Sequence, residues 1–150
     1  MRNAVTRSLT GRFRPVLVAG AVVLTTALTA DAQKPPISGK LLLSTSETVL
    51  GQQITYPTGS PAHVTAAIVT LQPGAETGLH RHDVPVFGYV LEGELTVTYS
   101  TGHLKVLGAG DAMVEAQGVF HNGQNTSSGV TKLLVLFAGA KGVPNSTNLN

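Results

Sequence analysis

Turns decide what this chain can fold into. Pro57-Thr58-Gly59-Ser60-Pro61, Pro73-Gly74, Glu92-Gly93 and Ser100-Thr101-Gly102 break the sequence at short intervals, and glycine and proline at such points set chain reversals that a helix could not run through. The segments between and around them are short and strand-like: 40–44, 52–56, 64–72, 79–82, 86–91, 94–99, 104–107, 112–115, 118–121 and 131–138. In 94–99, Leu95, Val97 and Tyr99 alternate with Glu94, Thr96 and Thr98, the signature of a strand with one dry and one wet face. The run 133–137 is apolar throughout and is expected to be covered on both sides. No apolar repeat of three to four residues appears, so the fold class is all-β, an antiparallel sandwich or jelly-roll barrel. Apolar residues are 42% of the 150-residue chain, aromatics 5%, and Trp is absent. The core must therefore be built of Val, Leu, Ile and Ala in a single domain.

The two ends have a different character. Arg2, Arg7, Arg12 and Arg14 precede an uncharged stretch of apolar and small residues, 16–30, which runs into Ala30-Asp31-Ala32. That stretch is shorter than the roughly 20 residues a bilayer crossing needs and ends in an A-x-A cleavage pattern. A signal peptide over 1–32 is expected, cleaved before Gln33, giving a periplasmic or secreted protein with no stable membrane insertion afterwards; an uncleaved anchor is the alternative. Past Ala32 the chain holds six basic and seven acidic residues, a net charge of −1, against +2 for the whole sequence. Nucleic acid is not an expected partner at that charge. Absence of Cys rules out disulfides and a thiol-linked lipid anchor. Residues 33–39 read as a flexible lead-in, 40–138 as the barrel domain and 139–150 as a mobile tail.

The chemistry lies in Gly78-Leu79-His80-Arg81-His82. On a strand, His80 and His82 project to one face and Arg81 to the other, which makes half of a chelating site. A bare H-x-H is equally well read as two histidines hydrogen-bonded within a sheet.

Wider spacing shifts the balance toward the first of these readings. Gly74, His80, His82, Val86 and Gly93 follow G-x5-H-x-H-x3-E-x6-G with valine in the glutamate position. Gly110, Ala116, Gly118, His121 and Asn125 follow G-x5-P-x-G-x2-H-x3-N with alanine in the proline position. The sequence resembles the cupin superfamily over about residues 64–138. The resemblance implies a small jelly-roll barrel in which His80, His82 and His121 converge on a divalent metal, with Fe, Mn, Zn, Ni and Cu all open. It also implies a homodimer, because cupins commonly pair through N-terminal strands and Leu41, Leu42 and Leu43 need covering. His63 and His103 stand at turns outside the site. Asn125 and the motif glycines read as turn residues, and Glu92 and Glu94 as solvated.

The usual cupin carboxylate is missing from its place. Asp83 falls on the wrong strand face, and no nearby acid replaces the glutamate well. Three neutral imidazoles would leave a divalent ion its full charge, attract anions and keep three positions open for a chelating substrate and dioxygen. Val84, Val86, Met113, Ile68 and Phe137 are expected to line the cavity. With no Arg or Lys to clamp a carboxylate and no separate general base, the sequence points to a dioxygenase-like oxidoreductase acting on a small chelating substrate. The alternative is a non-catalytic cupin that binds a metal or small ligand.

Overall fold

A computed structural model describes residues 37–149. The expected signal peptide, 1–32, and the first part of the lead-in lie outside the described residues. Residues Gly39–Asn150 form one compact unit.

Nine strands run in chain order through this unit: β1 (Ala62–Leu71), β2 (His80–Arg81), β3 (Val86–Glu92), β4 (Glu94–Tyr99), β5 (Leu104–Gly108), β6 (Ala112–Val114), β7 (His121–Gln124), β8 (Thr131–Ala140) and β9 (Thr147–Asn148). They build two antiparallel sheets, β1-β8-β3-β6 and β5-β4-β7-β2-β9. Among the described residues there is no helix, so the all-β expectation holds, and a two-sheet jelly roll fits the strand order.

Alternation assigns the inner faces. Val86 and Val90 of β3, Leu95, Val97 and Tyr99 of β4, and Leu133 and Val135 of β8 are buried together in one core cluster. Val64 and Ile68 of β1 point outward, 60% and 58% exposed, and so does Leu134 of β8, at 41%. The run 133–137 is thus covered on one side only. Its outer residues belong to a sheet face that carries Leu41, Leu42 and Leu43 at its edge, around an apolar groove of about 440 Å³.

Several boundaries differ from expectation. Segments 40–44 and 52–56 join neither sheet. The chain between them closes through the isolated bridge Glu47↔Gln53 and is tied to the barrel where Val49 N–H donates to Val114 O and the Gln117 amide exchanges hydrogen bonds with the Thr55 backbone. The strand expected at 118–121 begins at His121. Gly118 donates its N–H to His82 O instead (2.8 Å). The stretch from Gly139, read as a tail, continues β8 to Ala140 and returns as β9, paired with β2.

The turn residues act as read. Gly93 has φ 75, and a Cβ there would meet Val130 O at 2.5 Å, so the β3–β4 turn accepts only glycine. Asn125, fully buried, donates to Leu71 O and Gly129 O and accepts from Ser127 N–H and Oγ–H.

Candidate metal centre

In the sheet register His80 pairs directly with His121. Opposed residues of an antiparallel pair share a face, so both rings enter the barrel, and His82, two residues on from His80, joins them. Ring centroids are 4.5 Å apart for His80 and His121, 4.8 Å for His80 and His82, and 5.1 Å for His82 and His121.

All three rings are held the same way round. Nδ1–H donates to a backbone carbonyl in each: His80 to Gly78 O (2.8 Å), His121 to Val119 O (3.0 Å) and His82 to Asn145 O (2.7 Å). A carbonyl oxygen can only accept, so Nδ1 carries the proton and the neutral ring presents its Nε2 lone pair to the interior.

The fourth member is Glu115, at the end of β6. Its Oε2 lies 2.7 Å from His121 Nε2 and 3.3 Å from His82 Nε2, and its side chain is only 12% exposed. The expectation that no acid replaces the motif glutamate is therefore corrected. In the β3–β6 register, Phe87 faces Val114 and Gly88 faces Met113, which puts Glu115 opposite Val86, and the Glu115 N–H donates to Val86 O (2.9 Å). The carboxylate stands on the neighbouring strand, at the position that faces Val86. Parity carried the signal: Glu115 is two residues beyond Met113, which was expected to face inward.

Electrostatics ties the group together. Burial alone would push the Glu115 carboxyl up, but the His121 and His82 imidazoles outweigh it and hold it at about 2. Burial lowers His121, yet Glu115 more than offsets this and raises it. His80 is lowered, first by burial and then by the other imidazoles against the Gly78 carbonyl's opposing pull. Tyr99 lies beside His121, ring centroids 5.4 Å apart; burial, then the Glu115 charge, push its pKa far above the usual phenol range, so it stays neutral.

A divalent cation fits this donor set. The four donor atoms lie within 4.8 Å of one another. His121 Nε2 and Glu115 Oε2 are buried without a well-aimed hydrogen-bond partner, which normally carries a penalty of about 1–3 kcal/mol per group. Three imidazoles and a carboxylate suit a first-row metal. The other candidates stay apart. Asp83 pairs with Arg81 at the surface (3.4 Å), Glu92 pairs with Lys132 (2.7 Å), and His63, His103 and Glu94 are exposed.

Beside the four donors lies a cavity of about 240 Å³ walled by Val69, Leu95, Leu133, Val135 and Phe137, with Thr77, Ser146 and Asn148 as its polar members. Phe137 is where it was expected. Val84 and Val86 are instead packed into the core, 0% and 1% exposed, and Ile68 faces outward, leaving its neighbour Val69 to line the wall.

The Cupin domain family matches residues 67–137, a span that contains all four donors. Over this span the chain is a cupin domain. Among solved structures, the cupin is similar to the oxalate decarboxylase of Lactobacillus farciminis in its formate complex, at 26% identity and a TM-score of 0.51 over 57% of this chain and 26% of that one. It is also similar to a single-residue variant of the B. subtilis oxalate decarboxylase (23%, TM-score 0.51, 57% and 24%) and to the DMSP lyase DddQ of Ruegeria pomeroyi (22%, TM-score 0.49, 57% and 42%). The chain spans about a quarter of the length of the decarboxylases. No curated protein matches it.

Proposed function

We propose that this cupin holds one divalent first-row metal on His80, His82, Glu115 and His121 and acts as a dioxygenase-like oxidoreductase on a small monoanionic substrate that chelates the metal through one edge. One observation carries the reading: the four donors stand at the wall of a small apolar cavity in which, among the described residues, no other side chain titrates. A redox-active metal bound there would supply the electron transfer and polarisation that oxygen chemistry requires.

The chain's own residues do the rest. Neutral imidazoles and one carboxylate leave a divalent ion one net positive charge, which matches a monoanion. Val69, Leu133, Val135 and Phe137 exclude water from the substrate's apolar body, and Thr77, Ser146 and Asn148 offer uncharged hydrogen bonds to its polar end. No acid or base is free of the donor set, which disfavours isomerisation by proton transfer. The likeness to oxalate decarboxylase raises a second reading, carbon–carbon cleavage of oxalate, but a dianion would find no Lys or Arg in the cavity wall to balance its second charge.

Metal content measured after growth with Fe, Mn, Zn, Ni or Cu comes first. Oxygen uptake with catechols, flavonols, diketones and thiols is measured next, beside carbon dioxide release from oxalate. Oxygen consumption with one substrate class is expected. Carbon dioxide from oxalate without oxygen consumption would replace this reading with the second, and tight chelator binding without turnover would leave a binding protein.

We further propose that the protein is exported and works as a homodimer. Support for the dimer is the outer face of β1-β8-β3-β6, where Val64, Ile68 and Leu134 are exposed and Leu134 shares an apolar groove with Leu41, the kind of face an interface covers. Light scattering should give twice the monomer mass for the parent and the monomer mass for Leu134→Glu; a monomeric parent at micromolar concentration removes the proposal.

A further inference from the structure

The three imidazoles are alike in tautomer but not in what sets it. His80 and His121 each donate to the carbonyl two residues earlier in their own segment, a bond that forms whenever that segment folds. His82 donates to Asn145 O, 63 residues further along the chain, and Ser146 Oγ lies 3.1 Å from the same Nδ1. The same stretch forms β9, the edge strand beside β2, with Asn148 opposite His80 and Thr147 opposite Arg81. Leu149 N–H donates to Leu79 O (3.0 Å), and Ser146 and Asn148 line the cavity. Little else holds this stretch down: Ser146, Thr147 and Asn148 are exposed and Leu149 is 56% exposed. A segment docked by a few edge hydrogen bonds and little apolar contact opens at low free energy.

We propose that residues 145–149 are a strap that positions His82 for the metal, and that metal binding in turn locks the strap. The inference rests on the metal reading above. Closed, the strap fixes the Nδ1–H tautomer of His82 and aims Nε2 at the centre. Open, it frees the ring to rotate and to exchange tautomers, and it removes Ser146 and Asn148 from the cavity wall. Because both states share one equilibrium, whatever affinity the strap lends the metal, the metal returns as strap closure. Outer partners of metal-bound histidines are worth about 10–100-fold in affinity, and that is the coupling expected here.

Zn²⁺ titration of the full chain is compared with that of a chain ending at Pro144, whose fold is checked by far-UV circular dichroism. Ring ¹⁵N signals of His82 are recorded for both without metal, and amide hydrogen exchange at Leu149 is followed in the full chain with and without Zn²⁺. Expected are an affinity loss of about 10–100-fold on truncation, a pure Nδ1–H tautomer in the full chain that becomes mixed in the shortened one, and Leu149 exchange slowed by about the same factor when Zn²⁺ binds. Equal affinities, an unchanged tautomer or metal-independent exchange at Leu149 in a full chain that does bind Zn²⁺ would overturn the strap and leave the metal reading standing. A full chain that binds no Zn²⁺, Mn²⁺ or Fe²⁺ overturns both. If the shortened chain does not fold, exchange in the full chain decides alone.

Discussion

Glu115→Gln keeps the length and polarity of the side chain and removes only its charge, which makes it the sharpest probe of the centre. In the protein without metal, the carboxyl is held at about 2 against an ordinary 4.5. A depression of that size corresponds to about 3 kcal/mol. Since the folded value lies below the unfolded one, this stability is present above pH 4.5 and is lost as pH falls toward 2. His121 behaves oppositely: its value is raised from 6.5 by Glu115 in spite of burial, so its share is present below 6.5 and is lost as pH rises through the folded value. The two are one interaction seen from its two ends and are not summed. The pair therefore stabilises most between pH 4.5 and 6.5. At about pH 5.5, with chelator present, Glu115→Gln should be less stable by about 3 kcal/mol, which for a domain near 100 residues lowers Tm by roughly 10–20 °C. The gap should narrow as pH rises from 6.5 through the raised folded value of His121, where that ring loses its proton, and again near pH 2, where Glu115 gains one. Differential scanning calorimetry across that range reads all three points. With metal, loss of a direct charged donor should exceed the roughly 10–100-fold typical of outer partners, measured by calorimetric titration. A variant with parental Tm in the acid window and parental metal affinity would remove Glu115 from the centre and restore the three-histidine site.

Four more outcomes are expected from the same geometry. Combining Glu115→Val with Val86→Glu should recover much of the metal affinity that Glu115→Val loses, because the two positions face each other across β3 and β6, whereas Val86→Glu alone should destabilise the metal-free protein by crowding two buried carboxylates; metal titration and thermal melts of the three variants test this. His121→Ala should abolish tight metal binding while His103→Ala leaves it unchanged, as read by competition with a chromophoric chelator. Asn125→Ala should reduce stability by about 1–3 kcal/mol in urea unfolding, since it strips partners from the buried turn between β7 and β8. Intact-mass measurement of the exported protein should show a chain beginning at Gln33, and a membrane-bound species retaining Met1 would count against cleavage.

Much of the fold is legible in the sequence for a simple reason: periodicity and spacing are local. The alternation in Glu94–Tyr99, the reversals at Gly93 and Gly118 and the shared parity of His80 and His82 are all properties of a few consecutive residues. The second motif places His121 with them, and in the sheet register His121 stands opposite His80. What escapes is relational. Glu115 matters because β6 lies beside β3, and no stretch of sequence states which strands become neighbours; its parity with Met113 is the one local clue. Residues 141–149 are rich in turn formers and poor in apolar residues, so nothing in them announces a strand that only an open edge at β2 calls into being. Ile68 and Leu134 look like core by composition, and a covering partner for their sheet face is not something alternation can report.

The displaced carboxylate bears on how sequences of this kind should be compared. On the metal reading, the facing positions 86 and 115 form one unit of constraint: an acid at either would meet the charge requirement, acids at both would crowd it, and acids at neither would leave a cation under-neutralised. A pattern that scores single columns counts Val86 as a defect and Glu115 as noise, although the two positions face each other across one ladder. Related barrels that have lost their carboxylate from the usual column should be read at the residue across the ladder before their centres are declared degenerate.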